Sequence, residues 1–320
     1  MANIILDTEK PNIFLFGACD VGMSLNFEMI KKDFSVHRTE MNKRIHDTLD
    51  FDTCRVPDFS TSLVSLYTPP PSEIASRVYD SLIKYNDLKP EHYQAYREIL
   101  KYPYIKYLET HARPNDILIM SFSSELYTKF LCKNEWFTVL PCFERFRRNE
   151  NDPLKWLITE YIGKEEFQVP HDDESVLNHT WDLLTTLSRD VHRIFKNRVI
   201  LVNTHMTDLT LHNGKITKAP IKQQLSYRQS KISTDLFEHK YAQRITDMFI
   251  RKFRIKYPEE LPVVSLDDYL FLDPDHPNGY APFHFDRVSS EKIGYKIYLE
   301  LLKINTRTIT ENTNVSTNKS

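Results

Sequence analysis

Asn12-Ile-Phe-Leu-Phe-Gly-Ala-Cys-Asp20 decides the fold, because an apolar run passes directly into a glycine, a small residue and a thiol. A buried strand that ends in this way turns sharply at the glycine and exposes the next polar side chain at the carboxyl edge of a parallel sheet. The pattern therefore predicts a strand over 13–16 and makes Cys19 a candidate nucleophile. The alternative is a turn with a half-buried structural cysteine, since free cysteine is commonly a small core residue.

Composition places the chain among globular proteins with no strong charge bias. The 320 residues are 41% hydrophobic, and 42 basic against 44 acidic side chains leave a net charge of −2, which disfavours binding to nucleic acid or an anionic membrane. The four cysteines are widely spaced and lack a zinc pattern, so we expect reduced thiols in a cytoplasmic protein with no metal and no cofactor. We predict no signal peptide and no membrane span, because no apolar run approaches roughly 20 residues.

Short apolar runs alternate with amphipathic segments along the chain. The runs predict further strands at 115–120, 198–202 and 262–266. The apolar periodicity predicts helices at 72–85, 90–110, 173–195, 233–255 and 289–304, the last with Ser289-Ser290-Glu291 as its cap. This alternation favours an α/β fold with a mostly parallel, doubly wound sheet that is covered on both faces.

The chain shows no repeat and no linker that would divide it. We therefore predict a single α/β domain over 1–305 with helical insertions. Residues 306–320 are polar and rich in Thr and Asn, which predicts a disordered tail.

Polar side chains follow each of the four predicted strands. Residues 17–19 (Gly-Ala-Cys) follow the first strand, 121–124 (Ser-Phe-Ser-Ser) the second and 203–205 (Asn-Thr-His) the third. The fourth strand is followed by the densest polar cluster of the chain, at 273–286. Because the carboxyl ends of parallel strands meet at one edge of a sheet, we expect these groups to lie around one site.

These motifs resemble the SGNH (GDSL-like) hydrolase superfamily, which opens with a strand, a glycine and a nucleophile and carries a late Asp-x-x-His. The closer similarity is to an SGNH-like family of uncharacterised bacterial proteins from capsule and surface-polysaccharide gene clusters. The motifs that carry it are Gly17-Ala18-Cys19, Ser62-Leu63-Val64-Ser65-Leu66 before Pro69, and Pro282-Phe283-His284. The resemblance covers most of residues 11–303. It implies a three-layer α/β/α fold (SGNH/flavodoxin-like) and ester hydrolysis or O-acyl transfer on a glycan.

The chain departs from the SGNH pattern around the nucleophile and the oxyanion hole. Cys19 stands where SGNH enzymes have a serine, and Ala18 stands where the related family has one. The superfamily's Gly-x-Asn-Asp block is replaced after Met120 by Ser-Phe-Ser-Ser-Glu. The oxyanion hole is therefore unassigned, with the backbone N–H after Cys19 and a second donor as candidates. The candidate substrate and oxyanion residues are Gly17, Ala18, Ser62, Ser65, Ser123 and Asn203.

The resemblance implies covalent acyl transfer through Cys19. Its thiolate would attack the acyl carbon of a glycan ester, or of an acyl donor such as acyl-CoA, after activation by a histidine. Two histidines compete for the role of base. His276 follows Asp273 at the Asp-x-x-His spacing, whereas His284 lies in the Pro-Phe-His motif. We favour His284 as the base, with His276 and Asp273 in support.

Two other classes of function stay open at this point. A catalytically degenerate protein of the same fold would bind a glycan or scaffold polysaccharide biosynthesis, and an inert, buried Cys19 would favour it. A nucleotide-sugar-dependent transferase would also use a doubly wound sheet. Against the transferase, the chain has six glycines and neither a GxGxxG nor a Walker motif.

Overall fold

The computed structural model describes residues 11–17, 21, 35–36, 63–69, 72–73, 76, 103–123, 129–132, 135–137, 167–168, 174–203, 207–219, 237–258, 261–266, 269–275 and 284–317. The strands are β1 (Asn12–Phe16), β2 (Ser35–Val36), β3 (Ile117–Met120), β4 (Lys129–Cys132), β5 (Glu135–Phe137), β6 (Phe167–Gln168), β7 (Val199–Asn203), β8 (Leu209–His212), β9 (Lys215–Lys218) and β10 (Val263–Ser265). The helices are α1 (Leu63–Tyr67), α2 (Tyr104–His111), α3 (Glu174–Phe195), α4 (Phe237–Lys256) and α5 (Arg287–Thr317).

Five of the strands form one sheet in the order β10-β7-β3-β1-β2, and every neighbouring pair in it is parallel. The register aligns Phe16 at the end of β1 with Met120 at the end of β3. The chain therefore builds outward from β1 in both directions, and the strand order reverses between β1 and β3. The predicted α/β class with a mostly parallel sheet is confirmed.

Alternate strand residues enter two separate buried clusters, as the two-residue period of a strand requires. Ile13 and Ile119 belong to the first cluster, which they share with α5, whereas Phe14 and Leu118 belong to the second, which they share with α3 and α4. Each fully buried side chain of this size contributes about 1.5–3 kcal/mol. The helix residues include Ile293, Ile297 and Leu301 in the first cluster and Leu187, Val191, Phe195, Phe249 and Phe253 in the second.

Helix α3 has the predicted bounds to within one residue. Its buried residues Leu184, Leu187 and Val191 recur at helical spacing, so one stripe of the helix packs on the sheet. The helix ends at Phe195. The next residue, Lys196, has a left-handed φ of 54°, and its N–H donates to the His192 carbonyl at 2.8 Å. A lysine thus occupies a position that glycine usually takes.

Helix α5 differs from the expectation at both ends. Its cap is Asp286, not Ser289-Ser290-Glu291, because the Asp286 carboxylate accepts the Ser289 N–H at 2.7 Å. The helix continues to Thr317, through the segment for which composition predicts disorder. No glycine or proline follows Gly294, and extending an existing helix is far easier than starting one. Among the described helices, none is both long and apolar enough to cross a membrane.

Candidate functional site at the carboxyl edge of the sheet

Gly17 and Ser121 join the ends of β1 and β3 where the strand order reverses. The Ser121 N–H donates to the Phe16 carbonyl at 2.7 Å. A Cβ atom on Gly17 would lie 3.0 Å from Ser121 Cβ and 3.2 Å from Val21 Cγ2, and the φ of 157° is one that side-chain-bearing residues rarely adopt. The strand predicted before Gly17 is confirmed, and the close approach of Ser121 explains why a glycine ends it.

Two buried serines follow β3. The Ser121 hydroxyl donates to Ser123 Oγ at 3.1 Å, and the Ser123 N–H donates to Ser121 Oγ at 3.2 Å. Phe122 lies between them, with its ring centroid 5.8 Å from that of Phe16 and 5.3 Å from that of Phe249. This aromatic packing anchors the turn, so that both serines are held at the edge of the sheet beside Gly17.

A short ladder of three segments forms beyond β10. The Leu272 N–H donates to the Leu209 carbonyl at 2.7 Å, and the Asp273 N–H donates to the His284 carbonyl at 2.9 Å. Leu272 also forms bridges to Thr210 on one side and to Phe285 on the other. The ladder places Asp273 and His284 next to each other although they are well separated in sequence.

Asp273 and His284 have different surroundings. His284 is buried, whereas Asp273 is half-buried and its Oδ1 accepts the Asp275 N–H at 2.9 Å. That bond closes a local turn, so one carboxylate oxygen of Asp273 has a structural role. On the other side of the ladder, the Phe271 N–H donates to Ser289 Oγ at 2.9 Å, which fixes the segment to the start of α5.

The ladder packs on the same side of the sheet as Val21, the next described residue after Gly17. Leu272 and Phe285 belong to the first buried cluster together with Ile13 of β1 and Val21. Val21 is two positions after Cys19 in sequence and is itself helical and buried. One apolar cluster therefore contains both Val21 and Phe285, the residue after His284.

The other predicted site residues are less connected. Asn203 is half-buried at the end of β7, where it is paired in register with Ser265 of β10. Ser65 lies in α1, but its side chain is not described. The predicted residues that lie outside the described ranges are Ala18, Cys19, Ser62 and His276.

Helix α1, which carries Ser65, is tied to α3 by a buried polar contact. The Tyr67 hydroxyl donates to Asp190 Oδ2 at 3.2 Å, and Asp190 is also paired with the guanidinium groups of Arg189 and Arg193. Burial, reinforced by the nearby Asp190 charge, raises the pKa of Tyr67 far above its usual value. The contact is structural, because it holds α1 against the side of α3.

Ser121 is the residue of this edge that the sequence analysis does not single out as a candidate. The sequence feature that could have identified Ser121 is its position directly after β3. Its contact with Gly17, however, depends on the register between two strands that are far apart in sequence. The structure brings Gly17, Ser121 and Ser123 together, and it pairs Asp273 with His284. In the described ranges, no three His, Cys, Asp or Glu side chains are grouped so that they could hold a metal ion.

Comparisons with known proteins add no relative to this picture. No protein-family model matches the chain, and neither a curated protein nor a solved structure is significantly similar to it. The resemblance to SGNH hydrolases therefore stays a prediction from the motifs.

Proposed function

We propose that the chain is a cytoplasmic, SGNH-like acyl-transfer enzyme, an O-acyltransferase or esterase, with Cys19 as its nucleophile. Its substrate in this proposal is a bacterial surface-polysaccharide glycan or a precursor of one. The observation that carries the proposal is the contact between Gly17 and Ser121. It joins the ends of β1 and β3 at the reversal of strand order, which is where open α/β sheets bind ligands. The proposal includes a three-layer α/β/α arrangement of flavodoxin-like strand order.

The proposed reaction starts with transfer of the Cys19 thiol proton to a histidine. The thiolate attacks the acyl carbon and forms a C–S bond, the bond from that carbon to the glycan oxygen or to the donor sulfur breaks, and the departing oxygen or sulfur takes the proton from the histidine. The histidine then takes a proton from water or a sugar hydroxyl, whose oxygen attacks the thioester. The C–S bond to Cys19 breaks, and the proton returns to the Cys19 sulfur. His284 is the favoured base, supported by its backbone pairing with Asp273 and by the cluster that Phe285 shares with Val21.

The oxyanion hole of this proposal uses the backbone N–H after Cys19 and a hydroxyl at the end of β3. The Ser123 N–H already donates to Ser121 Oγ, so the side-chain hydroxyl of Ser123 is the group that we assign as donor. Loss of one such donor typically lowers turnover by about 10²–10³-fold. Ser123→Ala should therefore reduce turnover of an activated ester while leaving alkylation of Cys19 almost unchanged.

The experiment measures the alkylation rate of each cysteine by mass spectrometry as a function of pH. We expect Cys19 to react faster at pH 7 than Cys54, Cys132 and Cys142, with a midpoint well below the roughly 8.5 of free cysteine. His284→Ala should remove this advantage. A matched control is His212→Ala, because His212 is an exposed histidine on β8 and should have no effect.

The same experiment includes His276→Ala, which identifies the base. If only His276→Ala slows Cys19, the base is His276 and the assignment of His284 is wrong. If Cys19 is alkylated no faster than the other cysteines, and if its alkylation rate is the same in His276→Ala and His284→Ala as in the wild type, the nucleophile hypothesis fails.

A second candidate is a non-catalytic protein of the same fold that binds a glycan or scaffolds polysaccharide biosynthesis. One observation favours it: the Ser121 hydroxyl and the Ser123 N–H bond within the same turn, so these donors are already engaged by the chain. This candidate predicts a slow Cys19 together with measurable binding of a surface glycan. Calorimetry with the polysaccharide of a capsulated bacterium would detect such binding.

A further inference from the structure

Helix α5 carries a stripe of exposed apolar side chains on its outer face. Val288 is 60% exposed, Tyr295 53%, Leu299 38% and Leu302 37%. We call these four residues the outer stripe. Scattered apolar side chains are normal on a protein surface, but a continuous row along one helix marks a contact surface.

The outer stripe lies on the side of α5 opposite the core. At 3.6 residues per turn, the buried residues Ile293, Ile297 and Leu301 lie on one face, and the outer stripe lies on the other. Val288, Tyr295 and Leu302 are spaced by seven residues, and in sequence the spacing continues to Ile309. A repeat of seven is the period at which two helices stay in contact along their length.

The length of α5 also calls for a partner. The helix has 31 residues and is about 46 Å long, but within the described residues the last side chain it contributes to a buried cluster is Ile304. The residues that follow are largely Thr and Asn, which are weak helix formers. A helix of about 12–15 such residues is marginal in water by itself, and packing against another helix is one way to stabilise it.

The charged side chains beside the outer stripe favour a second copy of α5 as the partner helix, and they favour a parallel over an antiparallel pair. Lys292, Lys296 and Lys303 flank one side of the stripe, where Lys303 pairs with Glu300 and Lys296 donates to the Ser265 carbonyl. Glu291 flanks the other side, where it pairs with Arg287 at 2.8 Å, so the lysine side keeps the larger positive charge. Two antiparallel copies of α5 would place the lysine side against itself, which is repulsive. Two parallel copies related by a two-fold axis place the lysine side against the Glu291 side, with Lys292 almost level with Glu291 of the second copy.

We propose that the chain forms a homodimer through the outer stripe, with the two α5 helices parallel and packed as a short coiled coil. The sheets of the two copies then lie on opposite sides of the helix pair, because the outer stripe faces away from the core. The proposal does not depend on the proposed function, although Val288 lies at the start of α5, next to Ser289, which accepts the Phe271 N–H.

The first test is the mass of the full chain in solution by light scattering after gel filtration. The wild type should have twice the mass of one chain at micromolar concentrations, and Tyr295→Lys and Leu302→Lys should each reduce it to one chain with an unchanged circular dichroism spectrum. The matched control is Ile216→Lys, because Ile216 is 58% exposed on the hairpin β8–β9, away from the stripe. It should stay dimeric.

Two results overturn the proposal. One is a wild type that has the mass of a single chain at every concentration tested, in which case the stripe does not bind a second copy. The other is a dimer that neither lysine variant disrupts, in which case the chain associates through another face. If one lysine variant loses its folded spectrum, the milder Leu302→Ser replaces it, and a dimer that Leu302→Ser leaves as tight as the wild type also counts against the stripe.

The second test distinguishes the direction of the helices. Val288→Cys and Leu302→Cys are oxidised separately, with the wild type as the background for the four native cysteines. In a parallel pair each introduced cysteine meets its own copy, so both variants should form a covalent dimer. In an antiparallel pair at most one of the two positions can meet its copy, and such a result would contradict the parallel arrangement.

Discussion

The two edges of the parallel sheet hold the same strands together by different means. At the amino edge, Asp116 is 0% exposed and its carboxylate accepts the N–H groups of Asn12 and Arg113, both at 2.8 Å. The Arg113 guanidinium adds an ion pair at 3.2 Å. At the carboxyl edge, among the described residues, the Ser121 N–H donates to the Phe16 carbonyl and so joins β3 to β1, and the hydroxyls of Ser121 and Ser123 bond each other.

The difference shows that the contacts that align β1 with β3 lie at one edge of the sheet and the candidate functional groups lie at the other. A buried charge with all of its hydrogen bonds made is expensive to break, so the amino edge fixes the alignment of β1 against β3. The carboxyl edge relies on a close backbone approach that needs no charged side chain. The hydroxyl groups of Ser121 and Ser123 and the imidazole of His284 therefore lie at the edge at which open α/β sheets generally bind ligands.

The largest effect is expected at the amino edge. Asp116→Ala leaves the N–H groups of Asn12 and Arg113 without their acceptor, each at a cost of about 1–3 kcal/mol, so we expect a loss of about 2–5 kcal/mol in the free energy of unfolding. Urea denaturation measures it. The control is Asp208→Ala, which removes a half-buried carboxylate paired with the exposed Lys218 and should cost about 0–1 kcal/mol. Equal costs for the two variants would mean that Asp116 does not align the strands.

Gly17→Ala tests the carboxyl edge. The added Cβ meets Ser121 Cβ at 3.0 Å, so we expect a loss of about 1–3 kcal/mol in the free energy of unfolding. Gly214→Ala is the control for backbone conformation alone, since Gly214 has a φ of 73° and open space around it.

The double variant Gly17→Ala/Ser121→Gly removes the atom that clashes and should recover part of the loss. Additive effects of the two substitutions would show that the contact between the strand ends is not what makes Gly17 necessary.

Much of the central sheet was predictable from the sequence, because buried parallel strands are continuous apolar runs. The run at 115–120 corresponds to β3, and the amphipathic pattern at 173–195 corresponds to α3. Both signals are local. Composition predicts disorder for the polar tail, whereas α5 runs to Thr317, because composition does not show that Ile304 and the residues before it fix the helix from which the tail continues.

The site was only partly predictable, because its contacts join distant residues. The sequence marked Gly17, Ser123, Asp273 and His284 as chemistry-bearing residues near strand ends. It could not show that Gly17 meets Ser121, which depends on register, or that Asp273 pairs with His284 through the backbone. The cap of α5 was misjudged by a few residues, since any of several acids and serines at its start could have reached a free N–H.

Asp190 is a second buried carboxylate, and like Asp116 it should stabilise the fold through the groups that bond to it. Its contact with the Tyr67 hydroxyl allows this to be measured. The pKa of Tyr67 is raised in the folded state, first by burial and then by Asp190, whereas the unfolded side chain titrates near pH 10. Its contribution to stability is therefore complete below about pH 10 and is lost as the pH rises beyond that value.

Tyr67→Phe should cost about 1 kcal/mol at neutral pH, because the hydrogen bond to Asp190 is lost. The wild type should then lose stability more steeply than Tyr67→Phe above about pH 10. Urea denaturation at pH 7, 9, 10.5 and 11 measures both curves. A constant difference between the curves would contradict the raised pKa.

The smallest effect is expected at Lys196, in the turn that leads from α3 into the amino end of β7. Its φ of 54° is left-handed, and a glycine adopts that conformation without the steric cost that a Cβ atom brings. Lys196→Gly should therefore raise the free energy of unfolding by a few tenths to about 1 kcal/mol, in spite of the greater freedom of glycine in the unfolded chain. Lys256→Gly, in the last turn of α4, should instead lower it by up to about 1 kcal/mol. If both glycines destabilise the protein equally, the left-handed conformation of Lys196 carries no cost, and the amino edge has no strain for a substitution to relieve.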